Sequence, residues 1–122
     1  MSYIRVTRVE KTDDYRKWLD GIKDLTGRAR ILMRVDRLIH GNPGDHRNLA
    51  NGVSELRVDV GPGYRVYYAK RGSRLLLLLA GGDKSTQDKG IAKAQRLAAQ
   101  HQERRNDHSS QEEDAEAEVV SL

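Results

Sequence analysis

The sequence predicts an α+β domain in which a helical hairpin packs on a small antiparallel sheet, in the order β-α-α-β-β-β-α. Three observations carry this. Apolar residues recur at helical spacing from Tyr15 to Ile39. The apolar period switches to two at Leu56. Five consecutive leucines, Leu75 to Leu79, then lie between glycine-marked turns.

Taken in order, Tyr3 to Val9 alternates Ile4 and Val6 with Arg5 and Thr7, which predicts a first strand. Thr12 suits an N-cap, and Asp13 and Asp14 follow where the helix dipole favours acids. Tyr15, Trp18, Leu19, Ile22 and Leu25 form one apolar stripe. A second helix opens near Thr26 and buries Ile31, Leu32, Val35, Leu38 and Ile39. Arg28, Arg30, Arg34 and Arg37 line much of its remainder. Gly41 ends it, and Asn42-Pro43-Gly44-Asp45 is a turn cluster.

A polar loop runs through Gly52. Leu56, Val58 and Val60 then alternate with Glu55, Arg57 and Asp59. Gly61-Pro62-Gly63 is a tight bend. In the next strand Tyr64, Val66 and Tyr68 share one face, and Arg65, Tyr67 and Ala69 the other. The leucine run suits a central strand covered on both faces, being too short between its glycines for a helix. Ser85 and Asp88 resemble a capping box for a last helix, Gln87 to about His101, with Ile91, Ala94, Leu97 and Ala98 on its apolar side.

The 122 residues are one domain's worth of chain, and the charge on them is uneven. From Gln102 to Leu122 there are seven acids and two bases, a net −5. Met1 to His101 holds 20 bases and 11 acids, a net +9. This predicts a folded domain over 1–101 that attracts polyanions, and an acidic tail over 102–122 too poor in apolar residues to order itself. The absence of cysteine excludes a disulfide framework and a thiol nucleophile. No apolar run reaches the ~20 residues that cross a bilayer, and Met1 to Val9 does not read as a secretory signal. A soluble, cytoplasmic protein with no membrane partner is the expectation. His40, His46, His101 and His108 show no ligand spacing, so no metal and no cofactor is expected.

The remaining chemistry is cationic, phenolic and amide. Arg57, Arg65 and Tyr67 project from strands, and Asp83-Lys84-Ser85-Thr86-Gln87 leads into a helix. Arginine holds phosphate by bidentate hydrogen bonds. RNA carries its own nucleophile in the 2′-hydroxyl, so a protein that positions it, moves protons and stabilises the phosphorane-like state needs no metal. Arg57, Arg65, Lys84, Tyr67 and Asp83 are the candidate catalytic residues. Arg30, Arg34, Arg37 and Gln87 are the candidate RNA contacts. Each has a structural alternative: Arg57 pairing with Glu55 or Asp59, Arg65 tying the sheet to the last helix, Asp83 capping that helix, and the helix arginines forming a solvated face.

Three strings, Gly52-Val53-Ser54-Glu55-Leu56-Arg57, Gly61-Pro62-Gly63-Tyr64-Arg65-Val66-Tyr67-Tyr68 and Gly81-Gly82-Asp83-Lys84-Ser85-Thr86-Gln87, resemble the RelE/ParE toxin superfamily, and most closely its HigB-like addiction module killer branch. Trp18 to Asp24, Ala29 to Ile31 and Gly41 to Asp45 extend the likeness, which covers roughly Tyr3 to Ala99. The resemblance implies a RelE-like fold and the toxin of a type II toxin–antitoxin system. It implies a metal-independent endoribonuclease that cuts mRNA on the ribosome. Its expected partners are the ribosome and mRNA, a cognate protein antitoxin of helix-turn-helix type, and operator DNA only through that antitoxin. The superfamily's sheet arginines correspond to Arg57 and Arg65, and its C-terminal catalytic region falls near Asp83-Lys84-Ser85. ParE-like relatives instead inhibit DNA gyrase by binding, which is the alternative activity.

Overall fold

The computed structural model describes residues 6, 8–72 and 74–107. The described residues form an α+β fold of three helices and one five-stranded mixed sheet. The elements are β1 (Arg8–Lys11), α1 (Asp13–Asp20), α2 (Leu25–Ile39), β2 (His46–Asn48), β3 (Val53–Val58), β4 (Tyr64–Arg71), β5 (Leu75–Asp83) and α3 (Gln87–Asp107). The strand order is β1-β5-β4-β3-β2.

Two features correct the predicted sheet. β1 runs parallel to β5, pairing Arg8 with Leu75 and Lys11 with Leu78, so the sheet is not wholly antiparallel. A fifth strand, β2, lines the far edge against β3, where a loop was expected. Of the predicted first strand, Tyr3 to Val9, Arg8 and Val9 lie in β1, which continues to Lys11. Val6 is buried ahead of it, and the rest of residues 1–5 and 7 falls outside the described residues.

Thr12 joins the first helix to the sheet with one hydroxyl. Its Oγ1 accepts from the Tyr15 backbone N–H at 3.0 Å, capping α1, and donates to the Leu79 carbonyl at 2.6 Å. The helix then stops at Asp20. Leu25 therefore does not extend the apolar stripe of α1; it opens α2 and is exposed. Asp24 caps α2 by accepting from the Gly27 N–H.

The sheet is covered on both faces. Tyr15, Leu19, Ile31, Val35 and Leu38 of α1 and α2 pack with Val66, Leu76 and Leu78. On the opposite face Ala94 and Ala98 of α3 pack with Tyr67, Ala69, Leu75, Leu77 and Leu79. The leucine run thus alternates between two cores, as expected for a central strand; burying each side chain contributes roughly 1.5–3 kcal/mol. A register shift between Tyr67 and Tyr68 bends the β4–β5 pairing. Gly81 lets α1 approach: a Cβ there would lie 2.0 Å from the Trp18 indole.

The cap of the last helical segment differs from the expected Ser85–Asp88 pair. Asp83 accepts from the Ser85 N–H, and the Thr86 hydroxyl accepts from the Asp83 N–H. This box caps a 3-10 turn, Lys84–Thr86, which leads into α3. The helix runs to Asp107, six residues into the segment expected as a tail; the remainder of that segment lies outside the described residues.

Candidate functional site

Arg57 and Arg65 are direct cross-strand partners on β3 and β4. The neighbouring pair, Glu55 and Tyr67, lies on the same sheet face, since opposed residues of an antiparallel pair point the same way. Arg47 of β2 faces Glu55 from the other side. Three guanidiniums, one carboxylate and a phenol therefore share one face of the sheet beside the start of α3.

Glu55 is the hub. It has no exposed surface. Its Oε2 accepts from Gln87 Nε2 at 2.8 Å, and its Oε1 accepts from Arg57 Nε at 3.2 Å. An Arg47 Nη lies 3.5 Å from Oε1, and Arg65 Nε lies 3.9 Å from Oε2. Burial pushes the carboxyl up, but the hydrogen bonds from Gln87 and Arg57 and the charges of Arg47 and Arg65 outweigh it. The net result lies below the ordinary carboxylate value.

Lys84 joins the cluster through Gly63. The Gly63 carbonyl accepts from the Lys84 backbone N–H at 2.9 Å and from Arg65 Nη1 at 3.2 Å. Gly63 has φ +83°, a conformation that favours glycine, and it lies in van der Waals reach of both the Lys84 and Arg65 side chains. The Gly61-Pro62-Gly63 bend is thus what sets Lys84 beside Arg65. The Lys84 side chain is exposed and forms no ion pair among the described residues.

Four of the predicted site residues have partners within the protein. Tyr67 is fully buried, and its hydroxyl donates to the Gln87 carbonyl at 3.5 Å. Burial first, then the Glu55 charge, raises its pKa, so it stays neutral and out of substrate's reach. Asp83 spends its carboxylate on capping, with hydrogen bonds from the Ser85 hydroxyl and N–H. These bonds, led by the hydroxyl's, hold its pKa below the usual range. Arg34 donates from its guanidinium to the carbonyls of Arg57, Pro43 and Asp45, fastening α2 to the end of β3.

Gln87 also differs from its expected role, because its amide is engaged by Glu55. Arg30 and Arg37 remain on the surface of α2. With Met33, Arg34, Asp45 and Arg57 they line a groove of about 510 Å³. Arg57 therefore belongs to both the groove and the Glu55 cluster. A second cleft, about 520 Å³, contains the Glu10–His101 pair and none of the cluster.

Sequence reasoning missed Glu55 and Arg47 as members of the site. A signal existed for Glu55: alternation places it on a strand face that the last helix covers, and a charged group there needs partners. Arg47 carried none, because His46-Arg47-Asn48 has no apolar alternation.

Among the described residues no helix is long and apolar enough to cross a membrane, and no group of three histidine, cysteine or acidic side chains is placed to hold a metal ion. What the cluster offers chemically is fixed positive charge with a planar hydrogen-bonding geometry, suited to a phosphate or carboxylate.

No family model matches the chain. The chain is 45% identical over 91 residues to an uncharacterized protein of Haemophilus influenzae, an alignment spanning 75% of this chain and 92% of that protein. The chain belongs to the same family as that protein.

Proposed function

We propose that the protein is the toxin of a type II toxin–antitoxin system, a metal-independent endoribonuclease of the RelE/ParE superfamily that cuts mRNA on the ribosome. One observation carries the reading. Arg57 faces Arg65 across β3 and β4, and Arg65 and the Lys84 backbone meet on the Gly63 carbonyl, so three cations from separate segments are linked in one chain of contacts. The layout of α1 and α2 against the sheet supports a RelE-like fold within the α+β class.

In this reaction the 2′-hydroxyl of one nucleotide gives its proton to solvent water as its oxygen attacks the adjoining phosphorus, the P–O5′ bond breaks, and a 2′,3′-cyclic phosphate remains. Arg57 and Arg65 hold the phosphate and offset the charge that grows on it. Lys84 gives its proton to the departing 5′-oxygen, a general-acid contribution of about 10²–10⁴-fold. Tyr67 and Asp83 have no direct part, for the reasons of burial and capping given above. Arg30 and Arg37 extend the cationic surface along the groove for flanking nucleotides. The partners in this reading are the translating ribosome in the cytoplasm, and a helix-turn-helix antitoxin through which the toxin meets operator DNA.

Toeprinting of a translated mRNA tests this. The wild-type protein should cut within the occupied ribosome, and Arg65→Ala and Lys84→Ala should abolish most cutting. Intact mRNA with trapped, cleaved DNA would instead assign the protein to gyrase inhibition.

A further inference from the structure

Glu55 exposes no surface, lies at the centre of the cationic face, and has no step in the reaction above. Its partners are arranged in a consistent way. Arg57 Nε donates to it at 3.2 Å, and Arg65 Nε lies 3.9 Å away, within ion-pair range but without a hydrogen bond. The far edge of each guanidinium is then directed elsewhere. Neither Nη of Arg57 has a hydrogen bond among the described residues. Arg65 uses Nη1 on the Gly63 and Tyr64 carbonyls, which leaves Nη2.

Exposure rises outward across the cluster. The side chains of Arg65, Arg57 and Arg47 are 11%, 35% and 46% exposed. Within this set one buried carboxylate stands against three guanidiniums, an excess of two positive charges. A planar fork recognises phosphate only when its edge is aimed, and a carboxylate gripping the Nε side is a means of aiming it.

We propose that Glu55 is a positioning residue that aims Arg57 and Arg65 at a phosphodiester, and that Arg47 is the third guanidinium of the same phosphate-binding set. The proposal rests on the nuclease reading for the identity of that phosphodiester.

The full-length chain, Glu55→Gln and Arg47→Ala are compared by melting temperature, by ribosome-dependent cleavage at saturation, and by binding a 2′-O-methyl RNA oligonucleotide over a range of salt. That oligonucleotide lacks the attacking hydroxyl, so binding is read apart from cleavage. Arg47→Ala should melt as the wild type does and lower the salt slope of binding by about one. Glu55→Gln should bind as well as wild type or better, having lost a negative charge. Its saturated cleavage rate should fall roughly ten- to a hundredfold, the effect of misplacing a reacting group. A loss of structure alone would weaken binding too. If Glu55→Gln fails to fold, Glu55→Asp, which keeps the charge and retracts it by one methylene, must show the same split.

A folded Glu55 variant that cuts at the wild-type rate overturns the positioning role. An unchanged salt slope in Arg47→Ala overturns the third guanidinium. If wild type binds the oligonucleotide but cuts no mRNA, the nuclease reading fails by itself. The positioning claim is then decided by the Arg57 Nε–H proton resonance. Glu55→Gln must move that resonance, and its staying in place overturns the claim.

Discussion

Arg57 and Arg65 stand opposite each other across β3 and β4 and share the carboxylate of Glu55, yet they differ in how deeply they are set. Arg57 is a third exposed. Arg65 is nearly buried and also donates to two backbone carbonyls.

That difference separates two substitutions which otherwise look alike. Arg57→Ala should relieve growth arrest on induction at a smaller cost in stability, about 0.5–1.5 kcal/mol for the hydrogen bond that Glu55 loses. Arg65→Ala should relieve growth arrest and also lower stability by about 1–3 kcal/mol, because it leaves buried polar groups unpaired. Thermal unfolding of the two purified variants checks the contrast; equal melting temperatures would count against it.

Lys84→Ala should leave stability within about 0.5 kcal/mol, as expected for an exposed side chain. Activity should nevertheless fall by roughly 10²-fold or more if the ammonium is the acid. Lys84→Arg should keep phosphate binding and recover little of the rate, since a guanidinium does not give up its proton. Cleavage rates on translating ribosomes measure both.

Tyr67→Phe tests the demotion of this residue to the core. Removing one buried hydroxyl should cost about 1 kcal/mol and leave cleavage near the wild-type rate. A large fall in rate with the fold intact would return Tyr67 to the active site.

Acid should destabilise the protein through Glu55. The folded pKa lies below the ordinary glutamate value of 4.5, so the folded state binds this proton less readily than the unfolded state does. The stabilisation is therefore complete above pH 4.5 and is lost as pH falls through the lower folded value. Asp83 acts in the same direction from its own lower starting point. Denaturant midpoints measured down this range should decline for wild type and decline less steeply for Glu55→Gln.

Gly81→Ala should be strongly destabilising, by about 1–3 kcal/mol or more, since its methyl group would meet the Trp18 ring. Trp18→Ala in the same chain should restore part of the loss. Chemical denaturation of the single and double variants gives the coupling.

What was legible in the sequence was whatever a local period encodes. The apolar stripes of α2 and α3, the two faces of β4 and the central leucine strand all follow from spacing of 3.6 or 2. The parallel pairing of β1 with β5 was not legible, because strand direction is decided by where the chain returns after 63 intervening residues and not by any short window. β2 was hidden by its polar residues, which show no apolar alternation and add to the backbone pairing only the Arg47–Glu55 ion pair and a Ser54–Asn48 hydrogen bond. At the site, the convergence of Arg57, Arg65 and Lys84 followed from alternation and the bend. The occupation of Arg34 by three carbonyls and the burial of Tyr67 did not, since both depend on segments distant in sequence.

The parallel seam between β1 and β5 also bears on how the chain assembles. Hairpins closing β3, β4 and β5 join neighbours, whereas Arg8 meets Leu75 only by closing a loop of 67 residues. Of the described strands β1 is thus made first, yet its sheet partner β5 is made last.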